Sequence, residues 1–219
     1  MKRNKLFIPF YLYLLLNTSS FAISVKNIAI EEVNDIHKKY GFNAKKRVLL
    51  WDEMIESSKD KDILIKLKNV NNFFNQIHYI VDLEHWRKED YSASLLEFLG
   101  TGAGDSEDYA IAKYISLVKL GIPKHKLKII FVKDISENPK DDHEHILLAY
   151  YHNKNSNPIM LDSIHKELSL AKKRDDIYPI YKDEFTNNFS NKAIWNKEVL
   201  KTMNMTQAIN NNTTNLFIE

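Results

Sequence analysis

Gly102-Ala103-Gly104-Asp105-Ser106-Glu107-Asp108-Tyr109-Ala110 is the most informative segment of this chain. The glycine-rich turn leads into a run with helical periodicity, which predicts a helix from Asp105 to Leu120 that ends at Gly121-Ile122-Pro123. Ser106 lies at the start of that helix, where unpaired backbone N–H groups and the positive end of the helix dipole favour an anion. The pattern fits an activated nucleophile, but a serine at a helix start more often only caps the helix.

Two polar residues downstream extend the nucleophile interpretation. His145 begins one predicted strand, and Asp162 ends the next. If these strands are adjacent and antiparallel, the carboxylate can orient the imidazole, as acyl-transfer catalysis requires. Alone, the three residues are weak support, because His145 also fits a polar strand end and Asp162 a turn. The segment also differs from the nucleophile elbow of hydrolases, since Asp108 replaces its second glycine.

The remaining pattern divides the chain into a helical first half and a second half rich in strands. Apolar spacing predicts helices at 25–40, closed by Gly41, and at 45–56 and 63–80, with a loop or short turn at 90–101. Short β-rich runs predict strands at 127–132, 145–151, 158–161 and 178–181. Helices followed by strands indicate an α+β fold rather than a doubly wound sheet.

The N-terminus predicts export. Residues 1–5 are basic, residues 6–16 form an apolar run that is short for a membrane span of about 20 residues, and Ser20-Phe21-Ala22 resembles a cleavage site. We therefore expect a cleavable signal peptide at 1–22, with an uncleaved membrane anchor as the alternative. A single domain is expected at 23–203, followed by a flexible, Asn-rich tail at 204–219.

Composition excludes several classes of function. Residues 1–22 hold three of the 31 basic residues and none of the 29 acidic ones, so the mature chain is close to neutral and no electrostatic case for nucleic acid remains. The mature protein is expected to be soluble. With no cysteine in the chain, disulfides, thiolate zinc sites and thiol chemistry are excluded.

A long, ordered series of residues between Asn69 and Ile164 resembles a known family. The matching residues are Val70-Asn71-Asn72-Phe73-Phe74-Asn75, Asp82, Trp86, Asp90-Tyr91, Glu97-Phe98-Leu99, the run Gly104 to Tyr114, Leu120-Gly121-Ile122-Pro123, the run His145 to Tyr151, and Leu161-Asp162, with Trp51 upstream. They are similar to the bacterial transglutaminase-like cysteine peptidases of the LapG type. The resemblance covers roughly the central half of the chain.

The resemblance implies a fold, a reaction and two partners. The fold is papain-like or transglutaminase-like, with a nucleophile helix packed on an antiparallel sheet, and the implied triad is Ser106, His145 and Asp162. Family members are periplasmic endopeptidases that cleave a large surface adhesin near its N-terminus, typically after two alanines, and so disperse biofilm. An inner-membrane receptor for cyclic di-GMP sequesters the protease when the nucleotide is abundant.

Two positions depart from the family pattern. Ser106 stands where the family has its nucleophilic cysteine, and Ser92 stands where a tryptophan is usual. A thiol ionises readily beside a histidine, whereas a serine must lose its proton during attack in a site shaped for that chemistry. Hydrolysis is therefore expected to be lost or barely measurable. Two origins fit Ser106: a deliberate inactivating substitution and a natural pseudoenzyme.

The acids around Ser106 suggest a cation. Asp105, Glu107 and Asp108 would raise the pKa of a thiol between them and oppose its activation. Their simplest explanation is the preference of a first helical turn for acids. Ca²⁺ would also cancel this charge, because it prefers hard oxygen ligands. The family resemblance implies calcium dependence, with Asp105 and Glu107 as ligands and Asp108 as a third candidate.

Other functions remain open at this point. His143-Glu144-His145 places two imidazoles on one strand face, which suits zinc, but a third ligand is missing and His143 is expected in an exposed loop. A non-catalytic module that binds an adhesin or receptor also fits the serine. A true transglutaminase, which transfers the acyl group to an amine, shares the fold and the triad order.

Overall fold

The computed structural model describes residues 27–135 and 143–179, apart from the side chains of His143 and Pro179. The predicted signal peptide at 1–22, the tail at 204–219 and both ends of the predicted domain lie outside these residues. Within the two described ranges, no helix is both long and apolar enough to cross a membrane.

Six α-helices and seven strands follow one another along the described chain. The helices are α1 (Ile30–Tyr40), α2 (Phe42–Ser58), α3 (Ile63–Phe74), α4 (Asp82–His85), α5 (Leu95–Thr101) and α6 (Ser106–Lys119). The strands are β1 (His78–Tyr79), β2 (Ala103–Gly104), β3 (Leu127–Asp134), β4 (His143–Tyr150), β5 (Ile159–Leu161), β6 (Ser169–Leu170) and β7 (Ile177–Pro179). The predicted order, with helices before the main sheet, is confirmed.

The strands form two sheets. β6, β5, β4, β3 and β7 lie side by side in that order, and every neighbouring pair is antiparallel. β1 and β2 form a small parallel pair, in which Tyr79 lies opposite Gly104. This α+β arrangement is the predicted class, and the small pair brings the β1 segment beside the start of α6.

Helix α6 is the centre of the molecule. Its residues 106–118 are all buried, because α3 and α5 cover it on one side and β4 on the other. Trp51 of α2 donates from its indole Nε1 to Ser116 Oγ over 2.9 Å, which ties the outer helix to this central one. A helix enclosed on all sides has a fixed position, so the residues at its N-terminus are held rigidly.

Three predictions for the helical half were partly wrong. α1 begins at Ile30, because the Ala29 N–H is capped by the Glu32 carboxylate. α3 stops at Phe74, where the Asn75 side chain turns into the interior, and the chain continues as β1. The predicted loop or short turn at 90–101 contains α5. Reciprocal hydrogen bonds between Ser94 and Glu97 cap the start of this helix, and Gly102 in the left-handed conformation ends it. The end of α1 at Gly41 is confirmed.

The strand predictions hold with shifted bounds. β4 begins at His143, not His145, because backbone pairing with β3 reaches as far as Asp134 opposite His143. His143 therefore lies in a strand rather than in the predicted loop. Asp162 directly follows β5 instead of ending it. β6, too short for a periodic signal, was missed, and β7 covers the described part of the strand predicted at 178–181.

Candidate active site and acidic cluster

Ser106 is the first residue of α6, and it is not the N-cap. Asp105 is the cap, and its Oδ1 accepts the N–H groups of Glu107 (3.1 Å) and Asp108 (3.3 Å). The capping interpretation of Ser106 is therefore wrong, because its neighbour already supplies the acceptor. This leaves the Ser106 side chain and N–H at the positive end of a buried helix.

The Ser106 hydroxyl faces the start of β4. The Ile146 N–H donates to Ser106 Oγ over 3.3 Å, so the hydroxyl lies against the backbone of the residue that follows His145. Ser106 is 7% exposed and His145 is 2% exposed. Helix α6 and strand β4 thus bring the predicted nucleophile and base together, although they are distant in sequence.

Asp162 orients the histidine. Its Oδ1 lies 2.7 Å from His145 Nε2, as the antiparallel pairing of β4 with β5 predicts. The same oxygen accepts the Ile164 N–H at 2.9 Å, and Oδ2 accepts Arg174 Nη2 at 2.9 Å. Hydrogen bonds and charge from His145, with Arg174 adding to them, hold the Asp162 pKa well below its usual range despite burial. With Nε2 engaged, Nδ1 is the ring nitrogen that can exchange a proton with a nucleophile.

A buried lysine supports the backbone of Asp162. Lys113 of α6 donates from Nζ to the Asp162 carbonyl (2.9 Å) and to Asn75 Oδ1 (2.8 Å). Asn75 Nδ2 donates to the same carbonyl at 2.9 Å. Burial lowers the pKa of Lys113 to about 7. The position of the triad acid is therefore fixed from both its side chain and its main chain.

Tyr79 lies beside the turn that precedes α6. It is 42% exposed, and its backbone lies opposite Gly104, two residues before Ser106. Burial raises the Tyr79 pKa and the charge of Asp105 raises it further, whereas the nearby Ser106 lowers it. The phenol therefore keeps its proton and can donate a hydrogen bond at neutral pH.

Three carboxylates converge beside Ser106. One oxygen from each of Asp82, Asp105 and Asp108 lies within 4.8 Å of the others. Asp82 Oδ2 accepts the Tyr91 N–H at 2.5 Å, and Asp108 Oδ1 accepts the Ala93 N–H at 2.6 Å. Their other oxygens, Asp82 Oδ1 and Asp108 Oδ2, are buried without a hydrogen-bond partner among the described residues.

The cluster is electrostatically unfavourable without a cation. Burial, followed by the charge of Asp82, raises the Asp105 pKa to about 6. Burial, then the charge of Asp105, raises the Asp108 pKa well above its usual value. A Cβ at Gly104 would collide with Asp108 Oδ2 and the Phe98 ring, so glycine is needed for this close approach. Converging oxygens with two orphaned acceptors fit a hard divalent cation.

Glu107 lies outside this group of three. Ser92 Oγ donates to Glu107 Oε1, and burial raises the Glu107 pKa to about 8. Ser92, the second departure from the family pattern, therefore hydrogen-bonds an acid next to the nucleophile position. Glu107 as a calcium ligand stays a prediction, whereas Asp82 joins Asp105 and Asp108.

The comparisons agree with this geometry. The family model of the bacterial transglutaminase-like cysteine proteinases matches residues 38–195, which is more than half of the chain. This chain belongs to that family. The recognition made from the motifs is therefore confirmed, and the matched range includes the predicted triad residues Ser106, His145 and Asp162. No curated protein gives a significant sequence match.

Solved structures of a family member match across most of the chain. Calcium-bound LapG from Legionella pneumophila is 30% identical, with a TM-score of 0.63 over 81% of this chain and 99% of that one. LapG from the same organism after EGTA treatment is 28% identical, with a TM-score of 0.67 over 80% and 98% of the two chains. The mixed helical and antiparallel fold is thus that of a transglutaminase-like cysteine protease.

Sequence reasoning missed several supporting residues. Asp82 was among the family matches, yet its separation from Ser106 along the chain hid its place in the acidic cluster. Lys113 had a usable signal, because a lysine surrounded by Ala110 to Ile115 in an apolar helix is a candidate for burial. Arg174 gave none, since it lies in a charged stretch that is typical of a solvated loop.

Proposed function

We propose that this chain is a calcium-dependent periplasmic cysteine endopeptidase in a form that Ser106 makes inactive. Its substrate is the N-terminal region of a large surface adhesin, which cleavage releases from the cell to control biofilm. An inner-membrane cyclic di-GMP receptor sequesters it. Family membership supports the protease class, and the predicted signal peptide supports the compartment.

The observation that carries the proposal is the assembly of His145 and Asp162 beside Ser106. With cysteine at position 106, His145 Nδ1 takes the thiol proton, Asp162 holds the imidazole through Nε2, and the α6 N-terminus stabilises the thiolate. Lys113 and Arg174 hold Asp162 in place, which supports this role for the pair of His145 and Asp162. The serine is the missing chemical part.

Calcium completes the site in this proposal. Asp82, Asp105 and Asp108 hold the ion, and Glu107 remains a predicted further ligand. When bound, Ca²⁺ supplies positive charge that offsets the acids flanking the nucleophile. Two orphaned carboxylate oxygens support this assignment, as does the calcium-bound structure of the related LapG.

A second candidate is a pseudoenzyme that binds an adhesin or receptor without cutting it. The observation that favours it is Ser106 itself, whose hydroxyl accepts a hydrogen bond from the Ile146 N–H at 3.3 Å. Such a protein would keep the cleft, the calcium site and the receptor contacts while lacking the thiol.

Restoring the thiol tests the proposal. The Ser106→Cys variant, in calcium, is incubated with the purified N-terminal region of an adhesin from the same organism that contains a pair of alanines. We expect cleavage by this variant, no cleavage by the parent, and loss of cleavage in Ser106→Cys/His145→Ala. A substrate that binds to Ser106→Cys but stays intact would overturn the peptidase proposal in favour of the binding module. Incorporation of an amine instead of hydrolysis would identify a transglutaminase.

A further inference from the structure

Three segments of the strand-rich half contain basic residues and no acids. No Asp or Glu occurs between Asp108 and Asp134, and none occurs between Glu144 and Asp162, although acids and bases are nearly balanced over the mature chain. The third segment, 168–174, also lacks acids. Segments of one charge sign concentrate positive charge on the surface where they meet.

The main sheet brings the three segments together. β3 begins beside the end of β4, where the Tyr151 N–H donates to the Lys126 carbonyl at 2.8 Å. The third segment joins them where the Lys172 N–H donates to Asn157 Oδ1 at 3.2 Å. Five exposed lysines therefore lie at one end of the sheet. This basic end consists of Lys124, Lys128, Lys154, Lys172 and Lys173.

The charges of the basic end are not neutralised by neighbouring acids. Among residues 27–135 and 143–179, none of its five lysines forms an ion pair. On the helices, by contrast, Lys38 pairs with Asp35 and Lys59 pairs with Glu56. The basic end therefore presents its positive charge to solvent or to a partner.

The side chains of the basic end suit a diffuse anionic surface rather than one shaped ligand. Arg174, the one arginine of the three segments, is buried and bound to Asp162 and Asp176, so it cannot hold an outside phosphate or carboxylate with two hydrogen bonds. Lysine ammonium groups are hydrated point charges on flexible stems. Lys128 Nζ lies 5.1 Å from the centre of the Tyr151 ring, and tyrosine is enriched at the headgroup level of bilayers.

The basic end lies far from the candidate active site. His145 is near the start of β4, and Tyr150 ends this strand five residues further along, which is about 17 Å in extended chain. Asp162 follows β5, whose first residue, Ile159, pairs with Tyr150. A surface that holds the basic end therefore leaves Ser106 and His145 open to a substrate.

We propose that the basic end docks on the anionic phosphate headgroups of a phospholipid bilayer. The export proposed above brings the protein to such a surface, but docking needs no step of the peptidase chemistry. Each lysine close to an anionic bilayer strengthens binding by a factor of about five, and salt screens the attraction. Docking holds the protein at the membrane with the candidate active site at the far end of the strands.

Co-sedimentation with vesicles tests this docking. The mature protein, without the basic and apolar residues 1–22, is mixed with vesicles of phosphatidylcholine that contain about one third phosphatidylglycerol. We expect binding at low salt that is lost in about 0.5 M salt, and no binding to phosphatidylcholine alone. Lys124→Gln/Lys154→Gln/Lys172→Gln, which changes one lysine of each segment, should weaken binding at least about tenfold.

The matched control removes the same charge elsewhere. Lys38→Gln/Lys46→Gln/Lys88→Gln changes exposed lysines on α1, on α2 and after α4, and should alter binding less than about twofold, because screening limits the attraction to charges near the bilayer. Equal weakening in both variants, or no binding by the parent, would overturn the docking surface.

An acidic protein is the other class of partner that the test can reveal. Retention of the parent by polyglutamate but not by the anionic vesicles, lost in the variant of the basic end, would assign these lysines to such a protein and overturn the bilayer proposal. Because the parent keeps Ser106 throughout, failure of docking leaves the peptidase proposal intact.

Discussion

Arg174 donates from Nη2 to Asp162 Oδ2 over 2.9 Å, while His145 occupies Oδ1 of the same carboxylate. Arg174 is itself held by Asp176, which accepts its Nε at 2.7 Å and its Nη2 at 2.6 Å. The arginine therefore positions the triad acid from the side opposite the histidine. It also helps to keep Asp162 ionised.

Arg174→Met should change the pH dependence of catalysis. In the Ser106→Cys background, loss of the cation raises the pKa of Asp162 and weakens its support of the imidazole at low pH, so the acid limb of the acylation rate should move to higher pH. Arg174→Lys keeps the positive charge, so its acid limb should be shifted less than that of Arg174→Met. Arg47→Met is the control, because Arg47 binds the carbonyls of Leu99 and Gly100, away from the triad, and should lower only the melting temperature.

The same contact predicts a change in acid stability. The pKa of Asp162 is lower in the folded protein than in the unfolded chain, so its stabilisation is complete above about pH 4 and is lost as the pH falls further. Arg174→Met should therefore raise the midpoint of acid unfolding, measured by circular dichroism. An unchanged midpoint would show that the ion pair does not stabilise the carboxylate.

Calcium binding should depend on the three converging acids. Calorimetry of the parent is expected to show one ion per chain, and Asp82→Asn or Asp108→Asn should each weaken binding at least about tenfold, because a charged oxygen ligand is lost. Asp60→Asn, in an exposed turn, is the control. Glu107→Gln decides whether the fourth acid also binds the ion. Unchanged affinity in Asp82→Asn would contradict the assignment of the cluster.

Asp105→Asn should have opposite effects with and without calcium. Because the folded pKa of Asp105 is about 6, above its unfolded value, stability without metal is lost as the pH rises from about 4 through 6. Asparagine still caps the helix but carries no charge. In chelator at pH 7.5, this variant should melt at a higher temperature than the parent. Its free energy of unfolding should exceed that of the parent by no more than about 3 kcal/mol. The difference should vanish near pH 4.

In millimolar calcium the order should reverse, since the variant has lost a ligand and gains less from the ion. Thermal melts of the parent and the variant, each in chelator and in calcium, give the four melting temperatures that test this reversal. If the parent melts higher than Asp105→Asn in chelator at pH 7.5, the acidic cluster does not destabilise the metal-free protein.

Lys113→Met should abolish a rise in the free energy of unfolding that the parent shows at alkaline pH. The pKa of Lys113 is about 7 in the folded state and about 10.4 in an unfolded chain, so the folded protein binds fewer protons between these values. The parent should therefore gain stability relative to the variant as the pH rises from 7 to 9.5, by at most about 1.4 kcal/mol per pH unit. Urea unfolding at three pH values measures this; a constant difference would show that Lys113 stays charged.

The motifs predicted the chemistry because they are local. The turn from Gly102 to Gly104, the acids that follow it and the run after His145 are contiguous, and the family resemblance supplied their roles. The pairing of His145 with Asp162 was also predictable, because antiparallel neighbours bring the ends of consecutive strands together. The element bounds shifted where tertiary bonds intervened, as at Asn75, whose side chain binds the Asp162 carbonyl.

The sequence by itself determined the class of fold, the predicted triad and the presence of acids around Ser106, because each is carried by residues that lie close together or follow a regular period. Only the tertiary structure decided that Asp82 joins the acidic cluster and that Arg174 and Lys113 hold Asp162. These contacts join segments that no periodicity relates. Their partners are set by how α6 is enclosed between the other helices and the sheet.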